Sequence, residues 1–543
     1  MLLATAEVCL PPMRYTATAH AAEDPDAACS SCHREIYEKY RSTPMAHASG
    51  VAMDGFTPGD FVHAASGIHY RVYEDRGRVY LSYERTSGNS VENLHGTQEL
   101  AWFLGSGKRG RTYLFEQQGY WFEIPVNWYA KKGIWDMAPG YLDAKTMPMT
   151  LPADQGCLRC HFSGAQQALP DARNHYAALP VLHGGITCAS CHGDGAEHVA
   201  SGGAKAMLDP AKLAPERRDS VCLQCHLEGK VVVAKQGKSL GDFKPGDDIF
   251  DYALFFVRAA EQGAGGRATS QWEALEQSAC KRGAGDRLIC TTCHDPHSSP
   301  TEAERVASYR TRCLACHTGA KYATQHHAEQ PDCAGCHMPR AATNDIAHEQ
   351  VTDHRIQIPG ARISPPPAQS GVLRAVHEEH PSDREFGLAY AQLATKGDRE
   401  AAQKAYGLLH SAEQKHADAD DEQLHMELGF LEQVMGHADA AQAEYRSALK
   451  ANPFDAVAEG DLALILAQER HYDEAMALWQ RAFEHDPAQT AAGENLAQVA
   501  CGQGQIDLAL KTLDRVLMFS PDDQYAKAMA AGMRSGAIAC GSR

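Results

Sequence analysis

Several things this sequence lacks set its first limits. No apolar run approaches the ~20 residues that span a bilayer, so no transmembrane segment is expected. Basic residues are in the minority, 51 Lys and Arg against 69 Asp and Glu, for a net charge of −18. That balance excludes nucleic acid as a partner, because phosphates demand clustered Lys and Arg. With 46 Gly and 26 Pro in 543 residues, 44% of them hydrophobic, the composition is neither collagenous nor disordered, and the chain is too long for a small disulfide scaffold. The length accommodates roughly two to four domains. What is abundant is Cys, at 18, and His, at 28.

Fourteen of the cysteines fall in one pattern, Cys-x-x-Cys-His, repeated seven times. The copies are Cys29, Cys32, His33; Cys157, Cys160, His161; Cys188, Cys191, His192; Cys222, Cys225, His226; Cys290, Cys293, His294; Cys313, Cys316, His317; and Cys333, Cys336, His337. Two thiols three residues apart reach the two vinyl groups of one haem and form thioethers, and the adjacent His is held beneath the iron as its proximal ligand. Chance would give on the order of 0.03 such motifs in a chain of this composition. A thioredoxin-type site needs a single Cys-x-x-Cys in a βαβ setting. Structural zinc gains nothing from a His directly after the second Cys. The spacing implies seven covalently bound haem c groups.

Haem attachment of this kind acts on exported, unfolded chains in bacteria, so a periplasmic or otherwise extracytoplasmic location is expected. Residues 1–24 read as a possible, truncated signal leader. Residues 2–10 are short and apolar but interrupted by Glu7, and Ala19, His20 and Ala21 offer a small-x-small cleavage site.

The haem domain is expected over 25–362. Within it, about 61–150 holds no motif and carries alternating runs, 70–73 with 79–83 and 112–116 with 120–124, each pair flanking a Gly-containing turn. This reads as a small antiparallel β insert holding Trp102, Trp121, Trp128 and Trp135. Short helices are expected to carry the motifs, the first over about 34–41. After a Pro-rich linker at 363–381 the period changes. Pro453, Pro487 and Pro521 are 34 residues apart, and Gly429, Ala463 and Ala497 align, as do Ala441, Ala475 and Ala509. Small residues at those points let paired helices pack closely and Pro ends the second helix, the signature of tetratricopeptide repeats. A degenerate earlier copy lies around Leu388, Ala389 and Ala401, so an all-α solenoid is expected over 382–535. Residues 381–543 hold 26 acidic and 14 basic side chains, a net of −12, which reads as a solvated docking surface.

Each haem iron needs a second axial ligand or keeps an open position. Seven further histidines stand in suggestive places: His63 at the head of the insert, His183 before the third motif, His198 shortly after it, His297 in Cys-His-Asp-Pro-His, one of His326 and His327 (His327 taken as the candidate), His348 and His354. For the first haem Met45 and His47 rival His63. The histidines from His410 onward read as ordinary repeat residues.

The run Gly-Ile-Thr-Cys-Ala-Ser-Cys-His-Gly-Asp-Gly-Ala-Glu-His (185–198), with Cys-His-Asp-Pro-His (293–297) and Cys-His-Met-Pro-Arg (336–340), resembles the multihaem cytochrome c superfamily that includes the tetrahaem cytochrome of nitrifying bacteria, hydroxylamine oxidoreductase and octahaem reductases. The resemblance implies bis-His haems in closely stacked pairs, with His198 and His297 as distal ligands. Enzymes of that group often replace a motif His by Lys; all seven motifs here end in His.

The expected function is therefore an exported heptahaem cytochrome that passes electrons along a haem chain and docks redox partner proteins through its repeats. The alternative is a multihaem oxidoreductase acting on a small nitrogen or sulfur compound at one open haem. In the basic loop 105–111, Lys108, Arg109 or Arg111 is a candidate partner for haem propionates. Cys280 reads as a structural thiol, and pairing of Cys501 with Cys540 is left open.

Overall fold

The first motif begins a helix, α1 (Ala27–Tyr40), which starts earlier than the motif's flanks suggested. In the computed structural model, residues 24–87, 92–258, 270–319, 330–340, 352–358, 372–378, 380–415 and 420–541 are described. Eleven strands follow α1: β1 (Ser49–Val51), β2 (Gly59–His63), β3 (Ile68–Asp75), β4 (Arg78–Arg85), β5 (Leu94–Leu100), β6 (Trp102–Leu104), β7 (Gly110–Gln117), β8 (Tyr120–Glu123), β9 (Val126–Tyr129), β10 (Ile134–Met137) and β11 (Leu151–Pro152). Strands β2 to β5 form one antiparallel sheet in sequence order; the others form a second, in which β7 pairs with β6, β8 and β9. The β3–β4 and β7–β8 connections are two residues long. Arg76 and Gly77, then Gln118 and Gly119, take positive φ, the turn whose twist matches that of the strands.

Period-2 alternation decides what each sheet face covers. Ile68, Tyr70, Val72 and Leu81 of the first sheet pack against Tyr113, Phe115, Phe122 and Trp135 of the second. The second sheet's other face sets Trp102, Leu104, Leu114 and Trp121 against Leu158 of helix α2 (Gln155–His161) and the following Phe162.

Beyond this point elements are short. They comprise β12 (Phe162–Ser163), β13 (His183–Gly184), α3 (Ala189–His192), α4 (Ala196–Ala200), α5 (Pro215–His226), β14 (Val231–Ala234), β15 (Ala253–Arg258), α6 (Gln271–Glu276), α7 (Ala279–Ala284), α8 (Cys290–Cys293), α9 (Glu302–Leu314) and α10 (Cys333–His337). Helices α3, α8, α9 and α10 have no buried residue. Strand β16 (Leu373–Ala375) pairs with β15, which itself pairs with β14. The stretch expected as a linker thus contributes a strand, because Leu373 and Ala375 supply apolar side chains to the adjacent core; its Pro-rich 363–367 and the leader 1–23 lie outside the described residues.

The repeats form helix pairs: α11 (Asp383–Ala394) with α12 (Arg399–Lys415), α13 (Glu422–Met435) with α14 (Ala438–Ala451), α15 (Ala456–Gln468) with α16 (Tyr472–His485), and α17 (Thr490–Gly502) with α18 (Ile506–Phe519), followed by α19 (Gln524–Ser535). Ala441, Ala475 and Ala509, and Ala448, Ala482 and Val516, are fully buried where the paired helices meet. Asp421, Asp455 and Asp523 cap helix N-termini with their carboxylates. A disulfide joins Cys501 to Cys540. The mixed N-terminal half and the all-α repeat half are the fold class expected from sequence.

The solenoid grips the N-terminal half at both ends. Phe386 of α11 meets Phe256 of β15, and Arg384 donates to Ala234 O at 3.0 Å. At the far end Phe519 buries itself against Tyr120 and Phe122, and the Tyr120 hydroxyl donates to Glu484 O and His485 O at 3.0 Å. Beside it, Arg85 forms a two-pronged ion pair with the fully buried Asp522.

Candidate functional site

One cavity of about 3830 Å³ runs through the N-terminal half, several times the ~300–1,000 Å³ of an ordinary ligand pocket. All seven motif histidines line it, with twelve of the fourteen motif cysteines. The motifs sit on short helices that local chemistry starts and stops. Asp154 caps α2 by accepting from Gly156 N at 2.8 Å. Asp332 accepts from Gly335 N at 2.9 Å to start α10, and Thr301 with Glu304 forms a capping box on α9. One helical turn then places both thiols of a motif on one face.

Sequence-distant motifs are brought together. The Cys29 and Cys188 sulfurs and an Asp26 oxygen lie within 4.8 Å of one another. Cys160 adjoins Cys225, and Cys222 adjoins Cys290. Cys313 adjoins Cys333. First meets third, second meets fourth, fourth meets fifth, and sixth meets seventh.

Three histidine pairs are more telling. The ring centres of His33 and His198 are 6.3 Å apart, with planes 17° from parallel. Those of His192 and His297 are 5.9 Å apart at 13°, and those of His294 and His354 are 6.3 Å apart at 32°. An iron with an imidazole nitrogen at ~2.0 Å on each side separates ring centres by ~6.3 Å, so these pairs fit one metal between them. Ordinary ring pairs such as Phe386 and Tyr390, 6.4 Å apart at 21°, reach similar separations; what sets the three imidazole pairs apart is that each joins a motif histidine to a non-motif one across the cavity. Backbone carbonyls hold the rings: His192 Nδ1 is 2.9 Å from Leu208 O, His198 Nδ1 2.7 Å from Lys205 O, and His354 Nδ1 2.8 Å from Thr352 O. His337 Nδ1 is 2.8 Å from Gln357 O and His161 Nδ1 3.2 Å from Ala48 O. Such a contact fixes the Nδ1–H tautomer and leaves Nε2 to bind metal. Burial pushes His226, His294, His297 and His354 below the usual imidazole range, which favours the neutral, ligating ring. The residues fit haem c.

The pairing differs from adjacency in sequence. His198 follows the third motif but faces the first, His297 follows the fifth but faces the third, and His354 follows the seventh but faces the fifth. The first motif's opposing ring is thus His198, not His63. The structure sets His63 in the β core, where Nδ1 meets Ser66 Oγ and Nε2 meets Leu142 O, each at 2.9 Å, so neither nitrogen is left for iron. His183 is held in β13 opposite Ser163, with Nδ1 buried and unpaired, and it does not line the cavity. His47 meets Arg41 O at 2.6 Å, while Met45 lines the cavity. His326, His327 and His348 lie outside the described residues. Cys280 lines the cavity, its thiol pushed up by burial and by nearby Cys316. The loop cations Lys108, Arg109 and Arg111 all line the cavity; Arg111 also donates to Asp54 O and Gly55 O and lies over the Phe103 ring at 3.8 Å.

Three stretches match known families: residues 140–193 the cytochrome c554 and c-prime family, 282–322 the doubled CXXCH motif, and 466–532 the tetratricopeptide repeat. The multiheme cytochrome MtrA of Shewanella baltica (strain OS185) is 25% identical over 185 residues, 30% of this chain and 51% of that protein. The chain thus spans about half the length of the curated relative it matches. Among solved structures, MamA is 18% identical, covering 27% of this chain and 82% of that one at a TM-score of 0.24. The Cut9-Hcn1 hetero-tetramer structure is 18% identical, covering 28% and 30%, at 0.25. Among the described residues no helix is long and apolar enough to cross a membrane. With family matches in both halves, motif helices opening on a shared cavity, and paired helices beyond, the chain is similar to multihaem c-type cytochromes in its N-terminal half and to tetratricopeptide repeats in its C-terminal half.

Proposed function

We propose that the chain is an exported, heptahaem electron-transfer protein whose repeat half presents a surface to redox partner proteins. The observation that carries this reading is the set of three imidazole pairs at 5.9–6.3 Å, each linking one odd-numbered motif to the segment after the next odd-numbered one. A haem held by a motif histidine and its facing ring would supply a one-electron Fe(III)/Fe(II) couple. The chain's own part is positional. Thioether-forming cysteines from different motifs abut, which brings the groups they carry close. Carbonyls orient the rings, and α1, α4 and α5 enclose the cavity with the β insert. Interlocking ligation makes the order first, third, fifth, seventh a continuous path. The disulfide Cys501–Cys540 suits an oxidising compartment, which supports export.

The test is to purify the haem-loaded protein and read haem stoichiometry by pyridine haemochrome and spin state by electron paramagnetic resonance. Seven haems, all low-spin, with fast reoxidation by an external one-electron acceptor, are expected. A high-spin ferric signal that shifts with nitrite, hydroxylamine or cyanide would instead make the protein an oxidoreductase with an open iron.

A further inference from the structure

The second β-sheet turns one face to the motif on α2, and that face changes character along its length. Over α2 it is apolar: Trp102, Leu104, Leu114 and Trp121 pack on Leu158 and Phe162, with Cys157 at their margin. Glu123 lies there too, 3.4 Å from the Cys157 sulfur. Farther along the same face come Thr112 of β7 and Asn127 of β9. The register Arg111↔Trp128 makes them cross-strand neighbours, and Val126 and Trp128 point to the opposite core. Thr112 is 9% and Asn127 3% exposed, and both line the cavity. Neither Thr112 Oγ1 nor Asn127 Oδ1 has a hydrogen-bond partner. Two adjacent unsatisfied polar side chains at such depth cost ~1–3 kcal/mol each unless something bonds to them. Lys108 and Arg109, from the loop that leads into β7 a few residues before Thr112, line the same cavity.

A haem c group has this polarity. Its vinyl-derived edge is bonded to the motif thiols, its macrocycle is apolar, and its opposite edge carries two propionates. Resting on the haem reading above, we propose that Thr112 and Asn127 form, with Lys108 and Arg109, the binding site for a propionate of the haem attached at Cys157 and Cys160. The Thr112 hydroxyl donates to one carboxylate oxygen, Asn127 donates to the other with its carboxamide turned so that Nδ2 takes the place of the unpartnered Oδ1, and the two cations balance the charge. Leu104, from the apolar half of the same face, lines the cavity and then abuts the macrocycle. The β insert therefore acts as the floor of one haem site and helps set that haem's potential. The same donors could instead serve a free small oxyanion, and the experiment separates the two sources.

The test uses the full, haem-loaded chain with Thr112→Val, which keeps the shape, Thr112→Ser, which keeps the hydroxyl, and Asn127→Asp, which sets a second carboxylate against the propionate. Mass spectrometry of the peptide holding Cys157 and Cys160 first establishes that it carries haem; a bare peptide defeats the haem reading itself. With haem present, Thr112→Val and Asn127→Asp are expected to shift the midpoint potential of one and the same haem. Asn127→Asp should shift it downward, by an amount that shrinks on acidification. Thr112→Ser should leave it in place. The haem is assigned by His161→Met, which moves the same component. Full haem content with every potential unmoved in both variants overturns the proposal. So does a Soret shift on adding nitrite to the parent protein that both variants abolish while the potentials stay fixed, because the wall would then serve a diffusible oxyanion.

Discussion

At the scale of single residues, the tuning of a haem rests on which side chain stands across from the motif His. His33 faces His198, whose ring is fixed by Lys205 O, while His63 spends both nitrogens on Ser66 and Leu142 O. Replacing an imidazole by a thioether raises a haem potential, because sulfur stabilises Fe(II) over Fe(III). His198→Met is therefore expected to raise one haem's midpoint by ~0.1–0.2 V, a fraction of the ~0.8 V that axial ligation spans. His63→Met, at a buried position, should lower stability and leave every potential where it was. Spectroelectrochemical titration of the two variants decides the matter; a potential shift in His63→Met, or none in His198→Met, contradicts the assignment. The motifs made the proximal histidines legible because thioether chemistry ties each to its cysteines in sequence. The partners were harder to place: His198 and His297 drew notice for their spacing, but the motif each one faces is decided by how the chain returns on itself.

At the scale of elements, the repeats were the most legible part of the chain. Their period needs small residues where paired helices cross. A side chain at Gly429 would meet the Tyr445 ring at 2.7 Å, which explains Gly where the later repeats have Ala463 and Ala497. The solenoid also buries acids. Burial pushes the Glu427 carboxyl of α13 up to about 7, and burial with the neighbouring Asp455 does the same to Glu422. Asp461 of α15 is raised by burial to about 6. An acid raised in the folded state binds its proton more tightly there than in the unfolded chain. Its contribution is favourable at the low-pH end of the window, near the unfolded value of ~4.3, and is lost as pH rises through about 7. Glu427→Gln should accordingly leave stability nearly unchanged near ~pH 4 and raise it near ~pH 8 by ~1–3 kcal/mol, at ~1.4 kcal/mol per pKa unit. Thermal unfolding followed by far-UV circular dichroism at both pH values reads this out. An equal gain at the two values would mean that the effect is packing and not titration.

At the scale of the whole molecule, the two halves are not a cytochrome with a loose appendage. The residues that join them gave no sign in sequence, since Arg85 and Asp522 are 437 positions apart, and 363–381 has the composition of a linker although it supplies β16. Periodicity reports on what an element does within itself; it is silent on which loop end meets which sheet. Asp522 is fully buried, takes both prongs of Arg85, accepts from Met147 N at 3.0 Å and lies 3.5 Å from the Lys527 ammonium. Removing it leaves a guanidinium in a site only 14% exposed, and a half-broken buried pair costs ~3–5 kcal/mol. Asp522→Ala should therefore loosen α18 and α19 from the β insert, seen as faster hydrogen exchange in β3 to β5 and in the last repeat. The haem potentials should hold, because neither Arg85 nor Asp522 lines the cavity. Combining Asp522→Leu with Arg85→Met removes both charges together and is expected to recover most of the loss, since the penalty lies in the stranded partner and not in the absent attraction. If Asp522→Ala leaves exchange unchanged in both segments, the ion pair contributes nothing to holding the halves together, and the Phe519 and Tyr120 contacts carry this end of the joint.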